Sequence, residues 1–98
     1  MISYEIIWSP NATLTYYQIL QYLDEKWTSK EVNAFVARTE EAIAHICDNP
    51  LLFPYSIKNN IHRCVIVKQV SLFYQINDDL IELLIFWDNR RNPASLQL

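Results

Sequence analysis

Three apolar runs crowded toward the C-terminal end limit what this chain can fold into. From Ile61 to Trp87 it reads IHRCVIVKQVSLFYQINDDLIELLIFW. Ile61, Arg63, Val65 and Val67 alternate with His62, Cys64, Ile66 and Lys68, a period of two that predicts a strand. Leu72 to Ile76 forms the next run, and Leu80 to Trp87 is apolar except for Glu82, as expected of a central strand buried on both faces for part of its length. Asn77-Asp78-Asp79 joins the last two with residues that tolerate positive φ, which matters in a chain with no glycine. The reading is an antiparallel β-meander. Lack of glycine also excludes the phosphate-cradling loops of Walker and dinucleotide type.

Upstream the pattern changes. Residues 2 to 8, ISYEIIW, are β-branched and aromatic and predict a first strand. Ser9-Pro10 stops it and opens a helix, serine as N-cap and proline at the first helical position. Ala12, Tyr16, Ile19, Leu20, Leu23 and Trp27 then recur at helical spacing, with Tyr17 and Tyr22 off that face. Thr28-Ser29-Lys30-Glu31 is a capping box for a second helix, whose apolar side carries Val32, Phe35, Val36, Thr39, Ala42, Ile43 and Ile46. Asn49-Pro50 ends it. Phe53-Pro54-Tyr55, in the following loop, is expected to fold under the sheet edge. The fold class expected is α+β: an N-terminal strand and an antiparallel two-helix hairpin packed on an antiparallel sheet of about four strands, residues 1–98 forming one domain.

The chain has a net charge of −3, which argues against indiscriminate binding to nucleic acid. Its distribution is uneven: residues 1–50 hold seven acids and three bases, a net −4, and residues 51–98 hold four acids and five bases, a net +1. No acid occurs between Asp48 and Asp78, so an acidic partner is expected to meet the C-terminal half. Cys47 and Cys64 are expected to be reduced thiols. His45-x-Cys47 and His62-x-Cys64 could in principle supply four zinc ligands, but residues two apart on a helix diverge by about 200°, so no metal and no cofactor is expected. No apolar run approaches the roughly 20 residues that span a bilayer, and MISYEIIWSP lacks the layout of a signal peptide; a cytoplasmic protein is expected.

The order strand, helical hairpin, meander, arginine pair resembles the RelE/ParE superfamily of bacterial type II toxins. The residues that carry it are Ser9-Pro10-x-Ala12, Tyr22-Leu23 with Trp27, Ile46-x-x-Asn49-Pro50, Ile61-His62-Arg63, Phe73-Tyr74-x-Ile76-x-Asp78-Asp79-x-Ile81 and Arg90-Arg91-Asn92-Pro93, spanning about residues 2 to 93. The resemblance implies a toxin of a plasmid-stabilising toxin–antitoxin system, neutralised by a cognate antitoxin with which it forms a hetero-oligomer. RelE-like members cleave messenger RNA on the ribosome; ParE-like members bind and inhibit DNA gyrase. RNA cleavage through the 2′-hydroxyl needs a proton acceptor, cations and a proton donor. Against the RNase branch, Arg91 occupies the place of a catalytic arginine, while His62 and Cys64 stand for two lysines, Ser71 for an arginine and Gln97 for a tyrosine.

With four of those five places changed, the ParE-like side is favoured, with Arg63, Lys68, Trp87, Arg90 and Arg91 as candidate contacts to a partner. The alternative is a ribosome-dependent endoribonuclease centred on His62 and Arg91; a third reading is a non-toxic member that binds antitoxin alone. Bland roles compete with each contact. Arg63 could pair with Glu5 or Glu82, Trp87 could pack on a neighbouring strand, and the arginine pair could be a solvated tail.

Overall fold

The computed structural model describes residues 4–56, 60–92 and 95–96. The elements in order are β1 (Glu5–Trp8), α1 (Pro10–Lys26), α2 (Ser29–Asp48), a 3-10 turn (Pro50–Leu52), β2 (Tyr55–Ser56), β3 (Ile61–Val67), β4 (Val70–Asn77) and β5 (Leu80–Asp88). The strands form one sheet in the order β1-β5-β4-β3-β2. It has four substantial strands and the two-residue β2 at one edge, with the helical hairpin on one face. Short turns force β3, β4 and β5 to run antiparallel, but nothing short joins β1 to β5, and these two pair in parallel. The sheet is therefore mixed, where a wholly antiparallel one was expected.

Both helices start as their sequences dictate. Ser9 Oγ accepts from the Ala12 amide at 3.0 Å and also donates to the Leu84 carbonyl at 2.9 Å, tying the start of α1 to β5. Thr28 Oγ1 accepts from the Glu31 amide at 3.4 Å. The Glu31 carboxylate does not close the second half of the box; it faces the Thr28 hydroxyl instead, at 3.4 Å. Asp78 takes the positive φ of the β4–β5 turn, and Asn60 the one before β3.

Ala12, Leu23, Phe35 and Ile46 from the helices meet Cys64, Leu72, Tyr74, Ile81, Leu83 and Phe86 from the sheet in one core. The leucines, isoleucines and phenylalanines among them each contribute roughly 1.5–3 kcal/mol by leaving water. Ile81, Leu83 and Phe86 reach the same face only because β5 contains a bulge: Phe73 stands opposite Ile85 and Tyr74 opposite Leu83, so Leu84 is the extra residue and the alternation shifts by one. That insertion accounts for the unbroken apolar run in the sequence. It also turns the Leu84 carbonyl toward Ser9, while the Phe86 amide donates to Thr15 Oγ1 at 2.9 Å.

Phe53 packs against the core as expected, edge-on to Tyr74 with ring centroids 6.4 Å apart, whereas Pro54 is exposed and the Tyr55 side chain lies outside the described residues. Leu51 and Leu52 before it do not; they are 71% and 68% exposed.

Candidate functional site

The helices cover one face of the sheet, and the other face is open. Register assigns Arg63, Val65, Ser71, Phe73, Ile85 and Trp87 to the open side, since Arg63 stands opposite Phe73, Phe73 opposite Ile85, and Ser71 opposite both Val65 and Trp87. His62 and Cys64 fall on the covered side.

The alternation within β3 leaves its phase undetermined, because either set of alternate residues is apolar enough to be buried. Packing against α2 settles it. His62 is buried, its Nδ1 sits 3.0 Å from the Phe53 carbonyl, and its ring stacks on Tyr74 at 5.1 Å. Cys64 is buried too, and burial pushes its thiol up to about 11, which makes it an inert packing residue. The positions on the open face of β3 therefore belong to Arg63 and Val65, and the His62–Arg91 pairing of the endoribonuclease alternative splits across the sheet: His62 is locked under it.

Arg63 is exposed and held by neutral partners. Its Nε donates to Ser71 Oγ at 2.9 Å and its Nη2 to Asn89 Oδ1 at 3.2 Å. The Ser71 hydroxyl, fully buried, donates in turn to Asn89 Oδ1 at 2.8 Å, and Asn89 Nδ2 donates to the Lys68 carbonyl at 3.2 Å. Neither Glu5 nor Glu82 reaches it: they stand opposite Leu80 and Ile7, near the far end of β5. The guanidinium is thus fixed in place by Ser71 and Asn89, and no carboxylate among the described residues neutralises it. Lys68 is exposed in the β3–β4 turn, where its carbonyl closes this network.

The arginine pair divides in its roles. Arg90 is locked on Asp88, with Nε 3.0 Å from Oδ1 and Nη2 2.8 Å from Oδ2, and it lies over the Tyr22 ring of α1 at 5.7 Å. Arg91 is exposed; its guanidinium carbon lies 4.5 Å above the Trp87 ring, and its amide donates to the Asp88 carbonyl at 3.0 Å. Trp87 is itself only 5% exposed, so it serves as the platform beneath Arg91 and not as a rim contact. Arg63, Ser71, Asn89, Trp87 and Arg91 make one patch with two oriented cations, neither hydrogen-bonded to a carboxylate among the described residues, though Arg91 lies within the field of Asp88. Asn89 holds the Arg63 end of the patch and was not singled out from the sequence, since its role depends on strand register. Lys58 and Gln97 lie outside the described residues.

Asp88 carries a testable consequence. The Arg90 hydrogen bond holds its carboxyl below the usual carboxylate value, with smaller contributions from the charges of Arg90 and Arg91. A folded-state pKa depressed in this way contributes stability that is present above the unfolded value and is lost as pH falls through the folded one. Acid titration of unfolding is expected to show this contribution intact at neutral pH and fading below about pH 4. Asp88→Asn should remove that part of the acid limb while leaving the profile above pH 6 parallel to the parent; an unchanged acid limb would show that the pair is fully screened.

Among the described residues no group of three or more His, Cys, Asp or Glu could hold a metal ion, both cysteines are free thiols, and no helix is long and apolar enough to cross a membrane. No protein-family model matches the chain, and no curated protein shows significant similarity to it.

Proposed function

We propose that the chain is a RelE/ParE-like toxin of the protein-binding kind. Its open-face patch docks on DNA gyrase, and a cognate antitoxin neutralises it by folding over it as a hetero-oligomer. One observation carries the reading: the open face presents Arg63 and Arg91 as fixed guanidiniums, neither hydrogen-bonded to a carboxylate among the described residues, while the imidazole that would serve as acid or base is buried on the other face. Such a surface recognises carboxylate or phosphate groups, and among the described residues it presents no imidazole for proton transfer in bond scission. Arg63, Arg91 and Lys68 make the contacts, Trp87 and Asn89 hold the arginines in place, and Arg90 is tied up by Asp88.

Inducing the chain in bacteria should arrest growth, and co-expressing the small reading frame beside its gene should relieve the arrest. The purified protein should inhibit supercoiling by purified gyrase and leave messenger RNA intact in a translating extract. Cleavage of messenger in that extract would overturn the proposal. So would unimpeded growth on induction.

A further inference from the structure

A second surface lies on the helical side of the sheet, and what it would bind does not depend on the toxin reading. β1 ends at Trp8, opposite Leu83, while β5 runs on to Asp88. The edge of β5 beyond Leu83 is thus without a neighbouring strand. α1 covers its first part, the Ser9 and Thr15 hydroxyls taking the Leu84 carbonyl and the Phe86 amide. Past that point α1 and β5 part, and a groove of about 230 Å³ opens between them. Ile19, Leu23, Trp27, Val67, Val70 and Phe86 supply its apolar lining, and Arg90 and Arg91 stand at its rim.

Backbone directions along this edge follow from the ladder. The Asn89 amide donates to the Gln69 carbonyl at 2.7 Å, on the β4 side, so Asp88 and Phe86, standing one and three places earlier, turn their amides and carbonyls the opposite way, toward the groove. The Phe86 amide is taken by Thr15 and the Asp88 carbonyl by the Arg91 amide. What remains without a partner among the described residues is the Phe86 carbonyl and the Asp88 amide. In a parallel ladder one residue of the added strand donates to residue i and accepts from residue i+2, and these two groups are that pair. An antiparallel neighbour would instead need the amide and carbonyl of a single residue, and neither residue has both free.

We propose that this edge binds an extended peptide segment of a partner protein, parallel to β5 and in line with β1. One residue of the segment bonds the Phe86 carbonyl and the Asp88 amide, a neighbouring leucine or aromatic side chain enters the groove, and a flanking acidic residue meets Arg91, Arg90 being held by the Asp88 carboxylate. Main-chain bonds supply the directionality, and the arginine rim selects acidic over basic flanks.

The test uses the whole chain and a panel of fluorescein-labelled nine-residue peptides, each rich in Asp and Glu with one central Leu, Ile, Phe or Trp. Fluorescence anisotropy should detect binding by acidic peptides, about tenfold or more weaker when the flanks are changed to lysine and for Arg90→Glu with Arg91→Glu. These two residues are exposed, so their replacement leaves the core intact. Amide exchange at Asp88 should slow on binding, and N-methylation of one peptide residue should abolish binding. The proposal is overturned if no peptide binds at millimolar concentration, if Asp88 exchange is unchanged, if the bound peptide is helical, or if shifts on binding map to Arg63 and Val65. Arg91 lies at both surfaces, so the two readings are told apart by their readouts: failure to bind peptide leaves the toxin reading standing, and a chain that does not inhibit gyrase still binds peptide through the Phe86 carbonyl and the Asp88 amide if the groove proposal holds.

Discussion

Tyr74→Ala is expected to lower stability by about 3–5 kcal/mol, a large part of what holds a domain of this size together. Tyr74 is fully buried at the middle of β4, paired with His62 on one side and Leu83 on the other. Its ring is sandwiched against His62 and meets Phe53 edge-on, and its hydroxyl donates to the Pro50 carbonyl at 2.6 Å. Burial pushes its pKa up, so the hydroxyl remains a donor throughout the working range. One side chain therefore joins the sheet to the turn that leaves α2. Tyr74→Phe separates the two contributions: the ring stays, but the Pro50 carbonyl loses its donor, which should cost about 1–3 kcal/mol. Urea unfolding followed by far-ultraviolet circular dichroism measures both. If Tyr74→Phe matches the parent, the hydrogen bond contributes nothing net; if Tyr74→Ala costs under about 1 kcal/mol, the core is not centred where the structure has it.

Much of this fold is legible in the sequence wherever a local rule decides it. The N-caps at Ser9 and Thr28, the positive φ at Asp78 and the core faces of both helices each follow from a few neighbouring residues. What local rules do not decide is phase and pairing. In β3, His62, Cys64 and Ile66 compete with Arg63, Val65 and Val67, and a one-residue choice exchanges the buried and open faces. The sequence offers no asymmetry large enough to make that choice; α2 does. The bulge at Leu84 is hidden for the same reason, since an apolar residue on either side of it satisfies a strand pattern. The parallel pairing of β1 depends on contacts across most of the chain. The Arg63–Ser71–Asn89 network needs three strands in register before it exists, so only Arg63 could be picked out beforehand. The arginine pair reads as one motif but splits at Asp88, whose carboxylate reaches Arg90 two residues on and leaves Arg91 to stack on Trp87.

Reversing both open cations, Arg63→Glu with Arg91→Glu, should weaken inhibition of gyrase by about 100-fold or more, because two like charges then face the acidic surface these arginines are proposed to meet. Stability should change little. Both side chains are exposed, and the Ser71 hydroxyl keeps its 2.8 Å bond to Asn89 when Arg63 is gone, so a loss of about 1 kcal/mol is the expected ceiling. A generic positive field would give much the same result, and Arg63→Lys separates the two cases. Lysine preserves the charge and the long-range steering, which weakens with salt over a screening length of about 8 Å at physiological ionic strength. It lacks the planar fork that Ser71 and Asn89 hold in place, so it cannot present two parallel donors in a fixed direction. If the positioned fork is what the partner reads, Arg63→Lys should keep the association rate near that of the parent and raise the dissociation rate about tenfold, as read by surface plasmon resonance with gyrase on the chip. If instead Arg63→Lys matches the parent in both rates and only charge reversal weakens binding, the patch acts through its field alone, and the hydrogen-bonded network around Asn89 serves the fold and not recognition.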